Sequence, residues 1–307
     1  MNIFITGGAG FIGSHLTKHL NNQGHKITIF DNFSNSSDSK INLIDSNIKI
    51  IKGDILDYSR LSYSLKNTDV IIHLAAQISV ADSIRDPENT MKINVDGTIN
   101  VLNACLENNV KNIISASTAA VFGNQVIMPI TENSPKEPIS PYGKSKMMME
   151  EKIIEFSKKN NLNSIIFRFF NLYGIGQSPQ YAGVITKFLE KIKKNQPLEI
   201  YGDGKQTRDF IHISDIVECI DLAIKNIHGK SGKIYNIGTG NNMTILELAK
   251  LLLKVYGKNL EIHFKPRVDG DVVNSKASTE LVLNELGFKP KMTIEKGLEQ
   301  FRNPSES

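Results

Sequence analysis

The chain has 307 residues, 40% of them hydrophobic and 22% charged, with a formal net charge of +4, which suits one large α/β domain or two unequal ones. Lysine pairs such as Lys158-Lys159 and Lys193-Lys194 are too short for a nucleic-acid tract, no apolar run reaches transmembrane length, and the N-terminus has no signal-like basic and apolar segment, so neither nucleic acid nor membrane is expected as a partner. Cys105 and Cys219 lie far apart in apolar helical contexts and are expected as free buried thiols in a cytoplasmic protein.

Asn2-Ile3-Phe4-Ile5 reads as a buried strand, and Phe11 to Leu16 begins a helical pattern. Between them, from Thr6 to Ser14, lies a glycine cradle. Gly7 permits the strand-to-helix turn, Gly10 admits a pyrophosphate close to the backbone, and Gly13 allows helix and sheet to pack closely. The free N–H groups at the helix start, around Phe11 and Ile12, then face a diphosphate. A second apolar run, Ile27 to Phe30, ends at Asp31, where a carboxylate can accept from ribose hydroxyls and would repel a 2′-phosphate. This spacing predicts an NAD-binding βαβ unit.

Further strand-like runs follow at Ile48–Ile51, Val70–Leu74, Ile113–Ser115 and Ser164–Phe167, separated by helical patterns, which predicts a doubly wound parallel sheet of Rossmann type. Asp54 ends the third strand, where it either holds the adenine amino group or caps the helix that begins near Asp57. Ala75 and Ala76 are small enough for a dinucleotide to pass close by. Asn94 lies in a helix expected to run to about Asn108; Gly97 within it points to close packing, and Asn94 itself could reach the loops above the sheet.

Beyond Phe167 the alternation loosens. Strands are expected at Ile200-Tyr201 and Ile234–Ile237, a helix over Ile213–Ile224, and another from a Thr244 cap to Tyr256 closed by Gly257. This half reads as a smaller α+β lobe closing over the cofactor. The expected division assigns 1–171 to the dinucleotide domain, with about 205–238 returning to it, and 172–204 with 239–307 to a substrate lobe.

The second informative stretch is Pro141 to Lys146. On a helix Tyr142 and Lys146 share a face at i and i+4, and a nearby cation favours phenolate, moving a weak base toward the working range. With Ser117-Thr118 after the fifth strand, this makes a set of hydroxyl positioner, phenolate base and tuning lysine.

These stretches together resemble the extended short-chain dehydrogenase/reductases, and within them the nucleotide-sugar 4-epimerases. The resemblance runs over essentially the whole chain: TGGAGFIGSH at Thr6, HLAAQISV at His73, NVDGT at Asn94, STAAVFG at Ser117, PYGKSK at Pro141, RFFNLYG at Arg168, IYGDGKQTRDFIH at Ile200 and YNIGTG at Tyr235. It implies Thr118 in the hydroxyl role beside Ser117, Tyr142 as base, and Lys146 as the partner that also holds the nicotinamide ribose. It adds Asn32, Ile55, Leu74 and Phe169 to the cofactor contacts. For the substrate it implies Asn171 at the diphosphate, Glu199, Ile200 and Tyr201 at the uracil, Arg208 and Arg267 at the phosphates, and Val184 and Asp271 nearby; an arginine fork suits phosphate. Ser275, four residues after Gly270-Asp271, corresponds to the wall facing the sugar's 2-substituent, and its small size implies room for an N-acetyl group.

The sequence also departs from the pattern. Phe122 and Phe169 replace usual tyrosines, and one extra residue separates Arg267 from Gly270-Asp271. Ala119-Ala120 stands where dehydratases of the family carry Asp-Glu and decarboxylases a Glu, which favours a reaction that ends at a simple epimer. The resemblance thus implies a homodimeric UDP-hexose 4-epimerase with tightly bound NAD and no metal. The alternatives are another nucleotide-sugar enzyme of the family, such as a dehydrogenase, reductase or uronate epimerase, and a non-catalytic NAD-binding protein.

Overall fold

The computed structural model describes residues 1–35, 48–177, 183–267 and 272–302. The elements in order are β1 (Asn2–Thr6), α1 (Phe11–Asn22), β2 (Lys26–Asp31), β3 (Lys49–Lys52), α2 (Tyr58–Ser64), β4 (Val70–His73), α3 (Val80–Arg85), α4 (Pro87–Met91), α5 (Gly97–Glu107), β5 (Asn112–Thr118), α6 (Pro141–Asn160), β6 (Asn163–Phe169), β7 (Asn171–Tyr173), α7 (Val184–Lys193), β8 (Leu198–Tyr201), β9 (Thr207–Arg208), β10 (Phe210–His212), α8 (Ile213–Lys225), β11 (Lys233–Ile237), β12 (Met243–Thr244), α9 (Ile245–Tyr256), β13 (Ile262–Lys265), α10 (Glu280–Leu286) and α11 (Ile294–Gln300).

Seven strands form the main sheet in the order β11-β6-β5-β4-β1-β2-β3. The pairs β3-β2, β2-β1, β1-β4 and β4-β5 are parallel, so the order reverses at β1 beside β4, the switch point above which a doubly wound sheet binds its ligand. The central strands earn their place by composition: every residue of β4 is buried, as β-branched runs covered on both faces must be. A core of Phe4, Phe30, Leu61, Val101, Ile113 and Ile153 packs helices onto this sheet.

The chain divides into two compact units, one of 1–121, 138–168 and 217–235, the other of 122–137, 169–216 and 236–307. Residues 122–137, which the sequence reading places with the dinucleotide half, cluster with the second unit. There the Ile130 N–H donates to the Lys276 carbonyl at 2.8 Å, and the Ile130 carbonyl accepts from Ser278 N–H at 2.7 Å and Asn236 Nδ2 at 3.0 Å. These are long-range pairings that no local pattern announces.

Among the described residues the second unit carries three two-stranded sheets, β7 with β10, β9 with β12 and β8 with β13. Its core is built from Tyr173, Phe188, Leu198, Phe210, Leu248 and Leu298. α9 starts as expected at Thr244, where a capping box joins the Thr244 hydroxyl and the Glu247 carboxylate, and stops at Gly257 in the left-handed region at φ 60°.

Candidate active site

The glycine turn sits at the C-terminal edge of β1. Gly7 has φ +68°, and a Cβ on it would stand 2.7 Å from the Ala75 nitrogen, so only glycine serves both the turn and the approach of the loop after β4. A Cβ on Gly13 would lie 2.5 Å from the Gly7 carbonyl oxygen, which fixes α1 hard against the turn. α1 opens at Phe11 after Gly10 with no side-chain cap, leaving its first N–H groups directed at whatever lies over the cradle.

Asp31 braces the same turn. Its Oδ2 accepts from Ala9 N–H at 2.9 Å and its Oδ1 from Phe33 N–H at 2.8 Å. Desolvation raises its pKa, while those two bonds act against the rise. Asn32 Nδ2 donates to Asp54 Oδ2 at 2.9 Å, and Asp54 Oδ1 accepts from Leu56 N–H at 2.9 Å. The helix cap that the sequence offered to Asp54 belongs to Asp57, whose side chain accepts from Arg60 N–H; a carboxylate caps only from the position directly before the first turn. Ile55 is buried beside Gly97, where an added Cβ would be 2.5 Å from its Cδ1. Close packing therefore accounts for that glycine.

After β4 the loop of Leu74, Ala75 and Ala76 is held from below. The Leu74 N–H donates to the Thr6 carbonyl at 3.0 Å. Asn94 is fully buried; its Oδ1 accepts from Gln77 N–H at 2.8 Å, and its Nδ2 donates to the Gln77 carbonyl at 3.0 Å and to Ser145 Oγ at 2.9 Å. Its side chain is thus occupied in tying that loop to α6. The expected helix runs on to Glu107 without a break, with a π-helical turn, Lys92–Asp96, set within it ahead of α5 and Asn94 buried on that turn.

Thr118 and Tyr142 are brought together by two devices. Ser140 caps α6 by accepting from Gly143 N–H, and a Cβ at Gly143 would stand 2.6 Å from the Ala120 carbonyl oxygen. Glycine there lets α6 close onto the 3-10 turn Ala119–Val121 that follows Thr118. The Thr118 side chain thereby acts on the Tyr142 phenol. The Tyr142 ring keeps part of its surface exposed, but its hydroxyl end is desolvated and its pKa is pushed up to about 12, with Thr118 acting against the rise.

One turn further along α6, Lys146 Nζ donates to the Ala116 carbonyl at 2.9 Å. The buried ammonium has its pKa lowered to about 8 by desolvation, with Glu150 acting against the fall. Beneath the set, Ser117 Oγ donates to Glu150 Oε1 at 2.6 Å, and Arg168 grips the same carboxylate through Nε at 2.9 Å and NH2 at 2.7 Å.

In the second unit, Asn171 is half-buried on β7, its N–H donating to the Asp209 carbonyl at 3.0 Å, and Phe169 is buried nearby in sequence. Val184 opens α7. Glu199, Ile200 and Tyr201 lie on β8, in register with His263, Phe264 and Lys265 of β13. The Glu199 carboxylate lies 3.5 Å from Lys191 Nζ and 3.9 Å from Lys265 Nζ, and the Tyr201 carbonyl accepts from Gln206 Nε2 at 2.7 Å. Arg267 Cγ is 3.8 Å from where a Gly202 Cβ would stand, so its stem passes beside the end of β8. Arg208 donates through NH1 to the Thr207 carbonyl at 2.8 Å. Ser275 is buried, with its N–H donating to Thr207 Oγ1 at 3.3 Å. Asp271 lies outside the described residues.

Residues 3–238 match the NAD dependent epimerase/dehydratase family. The chain belongs to that family. It is 31% identical to the UDP-glucose 4-epimerase of Bacillus subtilis, covering 96% of this chain and 94% of that protein. A crystal structure of the Thermotoga maritima UDP-glucose 4-epimerase with UDP-glucose is similar at 34% identity and TM-score 0.93, with 99% of each chain covered. The UDP-N-acetylglucosamine 4-epimerase of Methanobrevibacter ruminantium, in complex with UDP-N-acetylmuramic acid, is similar at 32% identity and TM-score 0.91, covering 99% of this chain and 98% of that one.

The protein is therefore an NAD-dependent, nucleotide-sugar epimerase-like enzyme of that family, and its cradle fits the cofactor: an uncapped helix start, a glycine-lined turn and an acid at the end of β2. Among the described residues, no cluster of His, Cys, Asp and Glu could hold a metal, and no helix is long and apolar enough to cross a membrane. Cys105 and Cys219 are buried thiols that form no disulfide.

Sequence reasoning missed three groups that shape the site. Glu150 stands four residues after Lys146, the same helical spacing that linked Tyr142 to Lys146, and could have been found by extending that face one turn. Arg168, a charge ending an apolar strand, signals a buried partner. Asp209 accepts from Thr239 N–H at 2.7 Å, Thr239 Oγ1 at 2.7 Å, Gly240 N–H at 3.0 Å and Ala277 N–H at 3.0 Å, and no local signal marks it.

Proposed function

We propose that the protein is a UDP-hexose 4-epimerase that interconverts UDP-glucose and UDP-galactose through a transient 4-keto sugar, with NAD tightly held. Bound NAD supplies a reversible hydride acceptor at the sugar's C4, so no net oxidation accumulates. The observation that carries the reading is the Thr118 side chain acting on the Tyr142 phenol, with Lys146 one turn further along α6. Thr118 orients the 4-hydroxyl, and Tyr142 Oη, acting as phenolate, takes its proton and returns it to the carbonyl oxygen when the turned 4-keto sugar is reduced on its other face. Lys146 supplies positive charge and a donor for the nicotinamide ribose. Asn171, Arg208 and Arg267 bind the diphosphate, and the backbone of Glu199–Tyr201 binds the uracil. Ala119-Ala120 supplies no acid for a dehydration, which supports an epimer as the end product.

A second substrate pair, UDP-N-acetylglucosamine and UDP-N-acetylgalactosamine, is favoured by Ser275, a small buried residue at the position assigned to the 2-substituent. The enzyme works as a cytoplasmic homodimer in this reading, which size-exclusion chromatography with light scattering checks. The deciding experiment incubates the purified protein with UDP-glucose, UDP-galactose and their N-acetylated counterparts without added cofactor. Interconversion within a pair, with no accumulation of NADH, is the expected result. Net consumption of added NAD or NADPH would point instead to a dehydrogenase or reductase, and NAD binding without turnover to a non-catalytic protein.

A further inference from the structure

Glu150 and Arg168 are the largest investment of buried charge in the first unit, and the reaction as read above does not use them. Both side chains are essentially sealed from solvent, and Arg168 holds the carboxylate with two parallel donors. A buried ion pair costs desolvation that its own attraction only about offsets, so its presence calls for a role beyond stability. Its position supplies one. Glu150 Oε1 also accepts from Ser117 Oγ at 2.6 Å, the residue directly before Thr118, and Glu150 follows Lys146 by one helical turn.

Resting on the epimerase reading, we propose that Glu150, clamped by Arg168, is a positioning residue of the reaction: it ties the strand end that presents Thr118 to the helix that presents Tyr142 and Lys146, and supplies the negative charge that the buried Lys146 ammonium requires. Burial alone drives Lys146 toward its neutral form, and Glu150 opposes this. The other titratable groups near Lys146 do not help. His73 on β4 is buried and held neutral, and in the cofactor-free protein burial pushes the Tyr142 phenol on α6 up to about 12, so it adds no charge at neutral pH. The charged side chains of the segments packed on α6 from the other side, Asp82, Arg85, Asp86, Glu88, Lys92 and Asp96, are exposed or half-exposed and screened, and Glu107 at the end of α5 is bound by Tyr58 and Ser62. Thr118 and Lys146 thus depend on one carboxylate for alignment and charge.

The test compares wild type with Glu150→Gln, Glu150→Asp and the double variant Glu150→Gln/Arg168→Met, all loaded with NAD. The double variant removes the arginine charge together with the carboxylate and so avoids an unpaired buried ion. The Lys146 midpoint is read directly by NMR of protein carrying ε-13C lysine, its signal being the one lost in Lys146→Arg. Glu150→Gln is expected to lower that midpoint by about one pH unit or more, and the double variant to lower it in the same direction. The alkaline limb of kcat should move to lower pH by the same amount with little change in KM, while Glu150→Asp keeps the wild-type midpoint. An unmoved midpoint in the folded variants, with kcat reduced equally at every pH, overturns the proposal, as does failure of both neutral variants to fold, since the pair would then serve folding alone. A shifted midpoint in a protein that epimerises no sugar nucleotide would sink the reading of the reaction and leave the role of Glu150 standing.

Discussion

His73 Nε2 lies 2.9 Å from Thr98 Oγ1, and the direction of that bond is determined: the Thr98 hydroxyl donates to the Asn94 carbonyl at 2.7 Å, so it must accept from His73. The other ring nitrogen, Nδ1, therefore accepts from Thr6 Oγ1 at 2.8 Å, and the Thr6 oxygen in turn accepts from Ala75 N–H at 3.3 Å. Both faces of the imidazole are thus satisfied in the neutral form, and burial disfavours the charged one. Burial drives its pKa from 6.5 down to about 3. The unfolded chain thus binds a proton that the folded one refuses between these values, and stability present above pH 6.5 is lost progressively as pH falls toward 3. Urea unfolding at stepped pH should show this loss, and His73→Gln should flatten the His73 share of it; an unchanged slope would remove His73 as a cause.

Tyr142→Phe should lower turnover by about 100- to 10,000-fold with NAD binding nearly intact, since it removes the proton acceptor and leaves the ring. In the cofactor-free protein the same hydroxyl should stay protonated until close to pH 12. The 295 nm difference spectrum between wild type and variant would then be flat through neutral pH. Retained turnover would reject Tyr142 as the base.

Asp31→Ala removes the acceptor for both Ala9 and Phe33 N–H groups, so it should loosen the glycine turn as well as the ribose contact. NAD affinity is expected to fall by about tenfold or more, with NADP bound relatively better. Fluorescence titration with both cofactors checks this, and unchanged affinities would sink the ribose assignment.

Ser275→Tyr fills a buried position whose backbone is tied to Thr207. It should abolish activity on the N-acetylated pair and spare the hexose pair. Equal losses on both pairs, or no wild-type activity with N-acetylated sugars, would refute the gating role.

Asp209→Asn should destabilise the second unit by about 2 kcal/mol or more, because an amide can accept on only one atom while the carboxylate accepts four bonds from the Thr239–Gly240 turn and Ala277. Thermal and urea melts check it, and a value near zero would mean that water replaces the lost acceptor.

The sequence by itself determined the strand–helix alternation, the glycine cradle with Asp31 and the Tyr142–Lys146 face, because each rests on local spacing: a strand period, a helical turn or a chain step between glycines. It also announced the Thr244 cap and the Gly257 stop, which are contained within one helix. What only the tertiary structure decided are meetings across the sheet order. Thr6 and His73 are 67 residues apart and His73 and Thr98 are 25 apart, Arg168 reaches Glu150 over 18 residues, and 122–137 joins the second unit through Asn236 and Lys276. The charge on Lys146 and the protonation of Tyr142 fall in this second group. Helical spacing placed the two on one face, but burial at a packed helix–sheet junction, with Ala116, Thr118 and Glu150 as the neighbours that act on them, is a tertiary property that an i,i+4 spacing does not carry.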